Sequence, residues 1–519
     1  MKRMPSLILL VIMSCFFGTI HAEATTYTVK AGGGGDFTSI SACASSAVAG
    51  DTCTVFAGSY SGWTQSNSGT PGNPITFQAN GTTLTTCALT SCSGPNGDAV
   101  TITSGIDVSG RQYIQIIGFS IQGTISFNTS SNHNTVTHNH DTITLAYQVD
   151  AVGNTDSDNV FSYNVVDLTG IVTNATGFYF YGDRNRFEHN EIKNGEGDCH
   201  DLGGTNVIVR NEYCHDINGA SGEHIDFVQE MGAGDTPVLT YSLIEGNVEQ
   251  HCYNDGGNCH AVIIRTGGAP AADTIIYRHN YMQNLDGSGG NFGGVGDNVP
   301  NAWFYNNTIA TESTVSENGS CAVWQNASTG VSFNNICYNV TAGNSNYSPF
   351  YSTTSDLAEN GNISYTTGYS SSWGSPYSGE TTYSALHNKN TVFANYPTDG
   401  TLQPTSPAIG AGVALTTVAA GDAGSGTSLI VHNAHGLQPG WAGTQGDWIR
   451  VGSTNTVQIT AINYTTNTLT LASSISRSSG DPVYLYKNSN GQIVLFGSAP
   501  DIGAYQYFAP ATNLGAAAH

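Results

Sequence analysis

The sequence predicts an all-β fold, a parallel solenoid in which short strands stack coil upon coil. Three observations carry this prediction. Helix formers are few and 63 of the 519 residues are glycine. Short runs rich in Val, Ile, Phe and Tyr recur along the chain, which argues against disorder. An asparagine follows the same strand pattern in each repeat.

Eight segments show the repeated pattern, an alternating β-type run followed by an asparagine. They are NTVTHNHDT (134–142), NVFSYNVVD (159–167), NRFEHNEIK (185–193), NVIVRNEYC (206–214), SLIEGNVEQ (242–250), TIIYRHNYM (274–282), AWFYNNTIA (302–310) and VSFNNICYN (331–339). The variable spacing predicts constant strands joined by variable loops. We expect the asparagines to form an internal structural ladder at a tight bend. They are Asn139, Asn164, Asn190, Asn211, Asn247, Asn280, Asn307 and Asn335.

Several segments together resemble the right-handed parallel β-helix proteins of the pectate-lyase-like superfamily. These segments are YTVKAGGGGDFTSISACASSAVAGDTCTVFAGSY, PGNPITFQANG, SPAIGAG (406–412) and PDIGAYQY (500–507). The resemblance covers nearly the whole mature chain and implies an N-terminal cap with one short helix in ASSAVAGD (44–51). It implies a fold more than a function, since the same solenoid hosts lyases, hydrolases, esterases, epimerases and adhesins.

Four parts of the chain are expected. Residues 1–22 have the basic start and apolar run of a signal peptide, residues 23–412 form the β-helix, residues 413–497 are an insertion, and residues 498–519 return to the β-helix and end in a tail. The insertion contains LIVHNAHGL, DWIRVGS, TVQITAINY, NTLTLASS and DPVYLYK, which predict a small β-barrel or sandwich module. A structural or unknown role is favoured for it over carbohydrate binding.

The leader and the cysteines predict a secreted or periplasmic bacterial protein. Lipid attachment after cleavage before Cys15 is the alternative, and no later segment is apolar enough for a membrane helix. The other ten cysteines form sequence-close pairs that predict local disulfides. The pairs are Cys43 with Cys53, Cys87 with Cys92, Cys199 with Cys214, Cys252 with Cys259, and Cys321 with Cys337.

The charge of the chain limits its partners. Lys and Arg number 14 against 38 Asp and Glu, a formal charge of −24. Such a surface repels nucleic acid and anionic membranes. We expect a monomer whose partner is an extracellular polysaccharide.

One strand of each coil carries an unusual set of polar side chains. Six segments align as this strand on consecutive coils: GFYFYGD (177–183), DCHDLGG (198–204), EHIDFVQ (223–229), CHAVIIRTGG (259–268), GNFGGVG (290–296) and SCAVWQN (320–326). Since side chains alternate along a strand, one parity faces the core. The inward set is Phe178, Phe180, Ile225, Phe227, Ala261, Ile263, Cys321 and Val323. The same alignment sends Asp201 inward.

The other parity is expected to stack outward in two columns. Tyr179, His200 and Asp226 form one, and Asp198, His224 and His260 form the other, with Arg265 beside Gln229. A slip of one residue would turn every side chain to the other face. Histidines and aspartates concentrated on three coils favour an active site over a solvated strand face. The expected catalytic residues are His224, Asp226, His200, His260 and Arg265, and the expected substrate-binding residues are Tyr179, Tyr181, Gln229 and Trp324.

These residues favour cleavage of glycosidic bonds, with β-elimination from a uronate polymer slightly ahead of hydrolysis. Elimination needs a base for the C5 proton, a cation that stabilises the transition state, and an acid for the leaving oxygen. His224 or His260 can be the base and Arg265 the cation, while Tyr179 or a second histidine can be the acid. Elimination leads because Asp226 is the one carboxylate placed securely beside the histidines.

Two alternatives stay open for the cofactor, Ca²⁺ or none. Asp198 and Asp226 offer the oxygen ligands that suit Ca²⁺. The resemblance implies Ca²⁺ with an Arg or Lys base, although no lysine lies near this strand. If a metal is bound, Zn²⁺ is the alternative to Ca²⁺, with ligands from His200, His224, His260 and Asp226.

Two other functions stay open. The order Asp201, Asp226, His260, Arg265 is similar to that of the polygalacturonases of the superfamily, which are hydrolases with paired carboxyls. Their Asn-Thr-Asp, Asp-Asp and Gly-His-Gly motifs are absent here. A non-enzymatic adhesin or polysaccharide-binding solenoid would instead present a long row of aromatic side chains across many coils.

Overall fold

The structure is a computed structural model. It describes residues 23–84, 99–142, 147–149, 156–171, 176–219, 224–230, 239–254, 258–264, 273–286, 293–295, 301–310, 321–324, 330–338, 350–352, 357–365, 381–382, 389–396 and 400–507. The predicted signal peptide and the tail after residue 507 lie outside these ranges. Within them, no helix is long and apolar enough to cross a membrane.

Three long parallel sheets confirm the predicted parallel β-helix. Each regular coil contributes one strand to each sheet in turn. Sheet A contains β1 (Thr26–Val29), β2 (Thr52–Val55), β4 (Ile75–Ala79), β7 (Ile114–Ile117), β10 (Thr135–Thr137), β13 (Val160–Ser162), β16 (Arg186–Glu188), β19 (Ile208–Arg210), β22 (Ser242–Glu245), β25 (Ile275–Arg278), β28 (Ala302–Tyr305), β31 (Gly330–Phe333) and β34 (Leu357–Asn360).

Sheets B and C complete the coils. Sheet B contains β3 (Gly58–Tyr60), β5 (Val100–Ile102), β8 (Ser120–Ile121), β11 (His140–Asp141), β14 (Val165–Asp167), β17 (Glu191–Lys193), β20 (Tyr213–Gly219), β23 (Val248–Asn254), β26 (Tyr281–Asp286), β29 (Thr308–Ala310), β32 (Ile336–Tyr338), β35 (Ile363–Tyr365) and β36 (Thr381–Thr382). Sheet C contains β6 (Ile106–Asp107), β9 (Ile125–Phe127), β12 (Tyr147–Val149), β15 (Phe178–Tyr181), β18 (His200–Gly203), β21 (His224–Glu230), β24 (Asn258–Ile264), β27 (Gly293–Val295), β30 (Ala322–Trp324) and β33 (Phe350–Ser352).

The N-terminal helix α1 spans Ile40–Ser46, four residues earlier than predicted. Ser39 caps it, because its side chain accepts a hydrogen bond from the Ala42 N–H at 3.2 Å. The helix buries Ile40 and Cys43 and ends at Ala47, whose backbone is extended. A second short helix, α2, spans Lys389–Val392, so α1 is not the one helix of the chain.

A ladder of buried side-chain amides fixes how the coils stack. The Asn280 side chain accepts from the backbone N–H and the side-chain amide of Asn247, at 3.0 and 2.9 Å. It donates in turn to Asn307 Oδ1 at 3.0 Å. Seven of the eight predicted asparagines take part. At the fourth coil the prediction is wrong, because Glu212 occupies the ladder and Asn211 precedes it.

The ladder stabilises an unusual backbone conformation in the residue before it. Tyr163 and His189 have φ values of 56° and 58°, in the left-handed region that costs an L-residue roughly 1 kcal/mol. Their rings stack at 4.8 Å. The hydrogen bonds of Asn164 and Asn190 hold the bend in place despite this cost.

A second and shorter ladder was not predicted. Asn134, Asn159 and Asn185 are buried at the start of three successive motifs. The Asn134 N–H donates to Asn159 Oδ1, and the Asn159 N–H donates to Asn185 Oδ1, both at 2.9 Å. The asparagine that opens each of these three segments is the sequence signal for this ladder.

Four disulfides in the described residues confirm four of the predicted pairs. Cys43–Cys53 joins α1 to β2. Three others join the region of sheet C to sheet B: Cys199–Cys214, Cys252–Cys259 and Cys321–Cys337. The predicted Cys87–Cys92 pair lies outside the described residues.

The predicted C-terminal β module is a six-stranded sheet, antiparallel between its paired strands. In sheet order its strands are β37 (Thr416–Thr417), β42 (Pro482–Lys487), β39 (Trp448–Val451), β40 (Asn455–Asn463), β41 (Thr468–Arg477) and β38 (Gly424–Ile430). A 3₁₀ turn spans Trp441–Gly443. Side chains of sheet A, such as Trp303, share one apolar cluster with the module. At Gly436 a Cβ would lie 2.4 Å from the Trp303 ring, so glycine permits this close packing.

A buried ion network also joins the module to sheet A. Arg278 of β25 donates to both carboxyl oxygens of Asp447 in the module at 2.8 Å. It also donates to Glu245 Oε1 at 2.6 Å and to the Tyr305 hydroxyl at 2.8 Å. The side chains of Arg278 and Asp447 are fully buried. Removal of the one cation would leave two buried carboxyls uncompensated.

We predict that Asn280→Ala destabilises the protein by about 3 kcal/mol or more, because it leaves buried donors of Asn247 without acceptors. Urea unfolding measures this change. Asn490→Ala, outside the ladder, is the control and should be close to neutral. Equal effects in the two variants would contradict a special role for the ladder.

We predict that Arg278→Met costs about 3 to 5 kcal/mol, as expected when one partner of a buried ion network is removed. The matched control is Arg184→Met. The Arg184 side chain is 45% exposed and pairs with Asp158 at 2.7 Å, and its loss should cost at most about 1 kcal/mol. Similar unfolding curves for both variants would show that the network contributes little.

Candidate active site

The register of sheet C decides which predicted residues meet. Phe178 pairs with His200, and Tyr179 pairs with Asp201. His200 then pairs with Val228, and Asp201 with Gln229. Phe178 is buried in the core and Tyr179 is partly exposed, so His200 shares the inward parity and Asp201 the outward one.

The predicted alignment of β18 is therefore wrong by one residue. His200 does not face outward with Tyr179, and Asp201 does not face inward. The expected inward place of Ile263 is wrong too, because Ile263 pairs with Gln229 in the outward column. Ile263 is an apolar residue at an outward position that is only 6% exposed, so the alternation of apolar and polar residues assigned it to the wrong face.

The centre of the candidate site is a hydrogen-bonded set formed by Asp198, Asp226, Gln229 and His260. Asp226 and His260 are register partners on β21 and β24, and their Oδ1 and Nδ1 atoms lie 2.7 Å apart. The Asp226 backbone N–H donates to Asp198 Oδ1 at 2.6 Å. Asp226 is fully buried, and Asp198 and His260 are each 6% exposed. Asp226 and His260, which the sequence assigns to neighbouring columns of one patch, are therefore in direct contact.

Gln229 bridges the two aspartates. In the amide orientation that satisfies both neighbours, its nitrogen donates to Asp226 Oδ2 at 2.6 Å and to Asp198 Oδ2 at 3.2 Å. Because one nitrogen bonds both atoms, the two Oδ2 atoms are at most about 6 Å apart. Both carboxyls therefore border one space, and His260 contacts the other oxygen of Asp226.

Asp201 and Tyr179 border this set on the outward column. The Thr176 hydroxyl donates to Asp201 Oδ2 at 3.2 Å. Tyr179 is partly exposed, and its ring contacts that of Tyr181 edge-on at 5.6 Å. Tyr181 itself is only 1% exposed. Of the two predicted tyrosines, Tyr179 is therefore the one with surface to offer a substrate.

The electrostatics favour a protonated carboxyl in this set. Burial, together with the neighbouring carboxyls of Asp226 and Asp201, raises the pKa of Asp198 well above its usual range. Asp226 contacts His260 through Oδ1 and the Gln229 amide through Oδ2. The two aspartates therefore have different environments, the arrangement that separates an acid from a base.

A further carboxyl lies on the interior side. Glu249 of β23 is fully buried, and neither of its oxygens has a hydrogen-bond partner in the described part of the chain. Burial, and to a lesser extent the charge of Asp226, raises the pKa of Glu249 well above its usual range. Nothing in the sequence singles out Glu249 beyond its being an acidic residue.

Three predicted site residues cannot be placed by their side chains. Arg265 lies outside the described residues. The same is true of the side chains of His224 and Trp324, although their backbones belong to β21 and β30.

The predicted metal site finds no support in the described residues. There, no group of three or more His, Cys, Asp or Glu side chains is placed to hold a metal ion. The Oδ2 atoms of Asp198 and Asp226 face the Gln229 amide, and His200 lies in the interior. His200 is therefore turned away from the alternative Zn²⁺ set, and the side chain of His224 lies outside the described residues. No catalytic step is assigned to a metal.

Comparisons with known proteins add little to this geometry. No protein-family model matches the chain, and no curated protein matches it. Among solved structures, XylC in complex with xylose is 12% identical with a TM-score of 0.45, and the match covers 93% of this chain and 98% of that one. Pectate lyase Pel9A is 13% identical with a TM-score of 0.36, covering 76% and 92%.

A third match is the PL6 family polysaccharide lyase Pedsa3628 from Pseudopedobacter saltans. It is 12% identical with a TM-score of 0.37, and the match covers 69% of this chain and 92% of that one. Matches of this strength carry no argument about reaction or substrate. The fold assignment rests on the strand pairing itself.

We predict that Asp198→Asn raises the free energy of unfolding at neutral pH. A folded-state pKa above the unfolded value of about 3.9 means that wild-type stability falls as the pH rises from about 4 towards the folded pKa. The variant does not titrate there and keeps an acceptor for the Asp226 N–H. Its advantage in urea unfolding should therefore grow between pH 4 and pH 7. A difference independent of pH would mean that Asp198 is ionised in the folded protein.

Proposed function

We propose that the protein hydrolyses glycosidic bonds in an extracellular polysaccharide, with Asp198 as the acid and the Asp226–His260 pair as the base. The observation that supports this most is the Gln229 bridge, which places a carboxyl of raised pKa beside a carboxylate paired with histidine. Glycosidases separate the roles of two carboxyls in this way.

The residues act on opposite sides of the bond. The Asp198 proton passes to the leaving glycosidic oxygen as the bond between that oxygen and the sugar carbon breaks. His260, held through Nδ1 by Asp226, takes a proton from the attacking water as the new carbon–oxygen bond forms. The cycle closes when that proton returns to Asp198.

This proposal reverses the small preference for elimination. The sequence favours elimination over hydrolysis slightly, because it places only one carboxylate securely beside the histidines. Asp198 now lies against Asp226, and Asp201 is a neighbour of Asp198 in turn, so a second carboxyl is available for hydrolysis. Elimination on a uronate polymer remains the alternative, and its unsaturated product distinguishes it from hydrolysis.

We also propose that the protein works outside the cytoplasm. The signal-peptide pattern and the four disulfides support this location, since such bonds persist in oxidising compartments. The acidic composition fits a neutral or cation-bridged polysaccharide better than a bare polyanion.

The test is incubation of the purified protein with a panel of neutral and uronate polysaccharides, following new reducing ends and the ultraviolet absorbance of unsaturated uronates. We expect reducing ends without absorbance. Asp198→Asn and Asp226→Asn should each lower kcat by about 10²- to 10⁴-fold. Asp216→Asn is the control, because Asp216 is half-exposed on sheet B, where it pairs with His215 and His251.

Absorbance together with reducing ends would establish elimination and overturn the hydrolytic proposal. Full activity in both aspartate variants would show that the site lies elsewhere. A binding solenoid without enzyme activity predicts retention on immobilised polysaccharide and no product from any member of the panel.

A further inference from the structure

At the coil that carries the candidate site, a glutamate takes the place of the ladder asparagine. At this coil Glu212 accepts from the backbone N–H and side-chain amide of Asn190 at 2.8 and 3.0 Å, and its own N–H donates to Asn247 Oδ1 at 2.9 Å. An asparagine would meet these same demands without a buried carboxyl. Burial raises the pKa of Glu212, so its presence carries a cost that the ladder alone does not explain.

The second carboxyl oxygen of Glu212 contacts His200. Glu212 Oε2 lies 3.0 Å from His200 Nε2, and His200 Nδ1 lies 3.0 Å from the Phe227 carbonyl oxygen. Both side chains are completely buried, and the imidazole stacks on Phe178 at 5.2 Å. A carbonyl only accepts, so Nδ1 carries a proton, and one shared proton completes the contact with Glu212.

These contacts end next to the candidate catalytic residues. Phe227 follows Asp226 directly, so His200 holds the peptide between Phe227 and Val228, one residue beyond Asp226. Asp198 lies two residues before His200, and Cys199 between them donates its N–H to the Asp226 carbonyl at 2.9 Å. The Cys199–Cys214 disulfide joins the segment of Asp198 and His200 covalently to that of Glu212.

We propose that His200 and Glu212 are positioning residues, an interior brace that ties the ladder to β21 and holds Asp226 against Asp198 and His260. The catalytic meaning of this brace rests on the proposed function. The role of His200 and Glu212 in holding β21 does not depend on that function, since it concerns the position of β21 with or without substrate. His200 thus acts from inside the solenoid and not as the surface catalyst that the sequence predicts.

The decisive variant is Glu212→Asn, which restores the residue type of the other ladder positions and removes only the partner of His200. We expect a melting temperature close to that of the wild type, because the ladder is kept and the gain from removing a buried carboxyl opposes the cost of leaving His200 Nε2 without a partner. The amide protons of Asp226 and Cys199 should exchange with solvent at least tenfold faster. The value of kcat should fall about tenfold or more, with KM nearly unchanged.

A double variant and a control separate positioning from stability. His200→Phe combined with Glu212→Asn places an apolar ring beside Phe178 and an intact ladder behind it, and its kcat should be no lower than that of Glu212→Asn alone, since both changes break one brace. Asn335→Ala, far along the ladder, should lower the melting temperature without faster exchange at Asp226.

Unchanged exchange at Asp226 and Cys199 in a folded Glu212→Asn protein would overturn the brace. Strictly additive losses in the double variant would overturn it as well. If no polysaccharide is cleaved by the wild type, the proposed function fails, and the exchange measurement still decides the brace on its own.

Discussion

The buried side-chain amides of the ladder fix the height and register at which each coil stacks on the next. Their oxygens accept backbone N–H groups of the preceding coil, and their nitrogens donate to a carbonyl and to the next amide. Buried polar groups are costly unless they are paired. A slip of one coil against another would unpair the whole row, so the ladder turns many short strands into one cooperative structure.

The candidate site depends on that register. Asp198, Asp226 and His260 come from three successive passes of the chain through sheet C, and they meet only because neighbouring coils are aligned residue by residue. Disulfides on either side of the group, at Cys199 and Cys259, hold the same strands against sheet B. The chemistry therefore depends on a rigid scaffold, as a preorganised acid–base site requires.

The interior of this solenoid contains charge as well as apolar side chains. Arg278 binds the module through Asp447, and His200 contacts Glu212. Glu249 has no hydrogen-bond partner among the described residues and lies close enough to Asp226 to be affected by its charge. Such groups are expensive to bury, so each constrains where its neighbours can be. The module covers the outer face of sheet A, and sheet C with its acidic group belongs to a different face of the solenoid.

The sequence by itself determined the solenoid, because the repeat period, the strand pattern and the asparagine are local features that recur from coil to coil. It also determined four disulfides, and it assigned Asp226 and His260 to one patch. It could not determine the face of His200 or of Asp201, nor the substitution of Glu212 for Asn211 in the ladder. The strand β18 has only four residues, so the alternation of apolar and polar side chains along it is too short to fix its register. A single buried histidine, His200, is enough to make that alternation predict the wrong face. Only the pairing of β18 with its neighbours decided which side chain entered the core, and with it which carboxyls could act together.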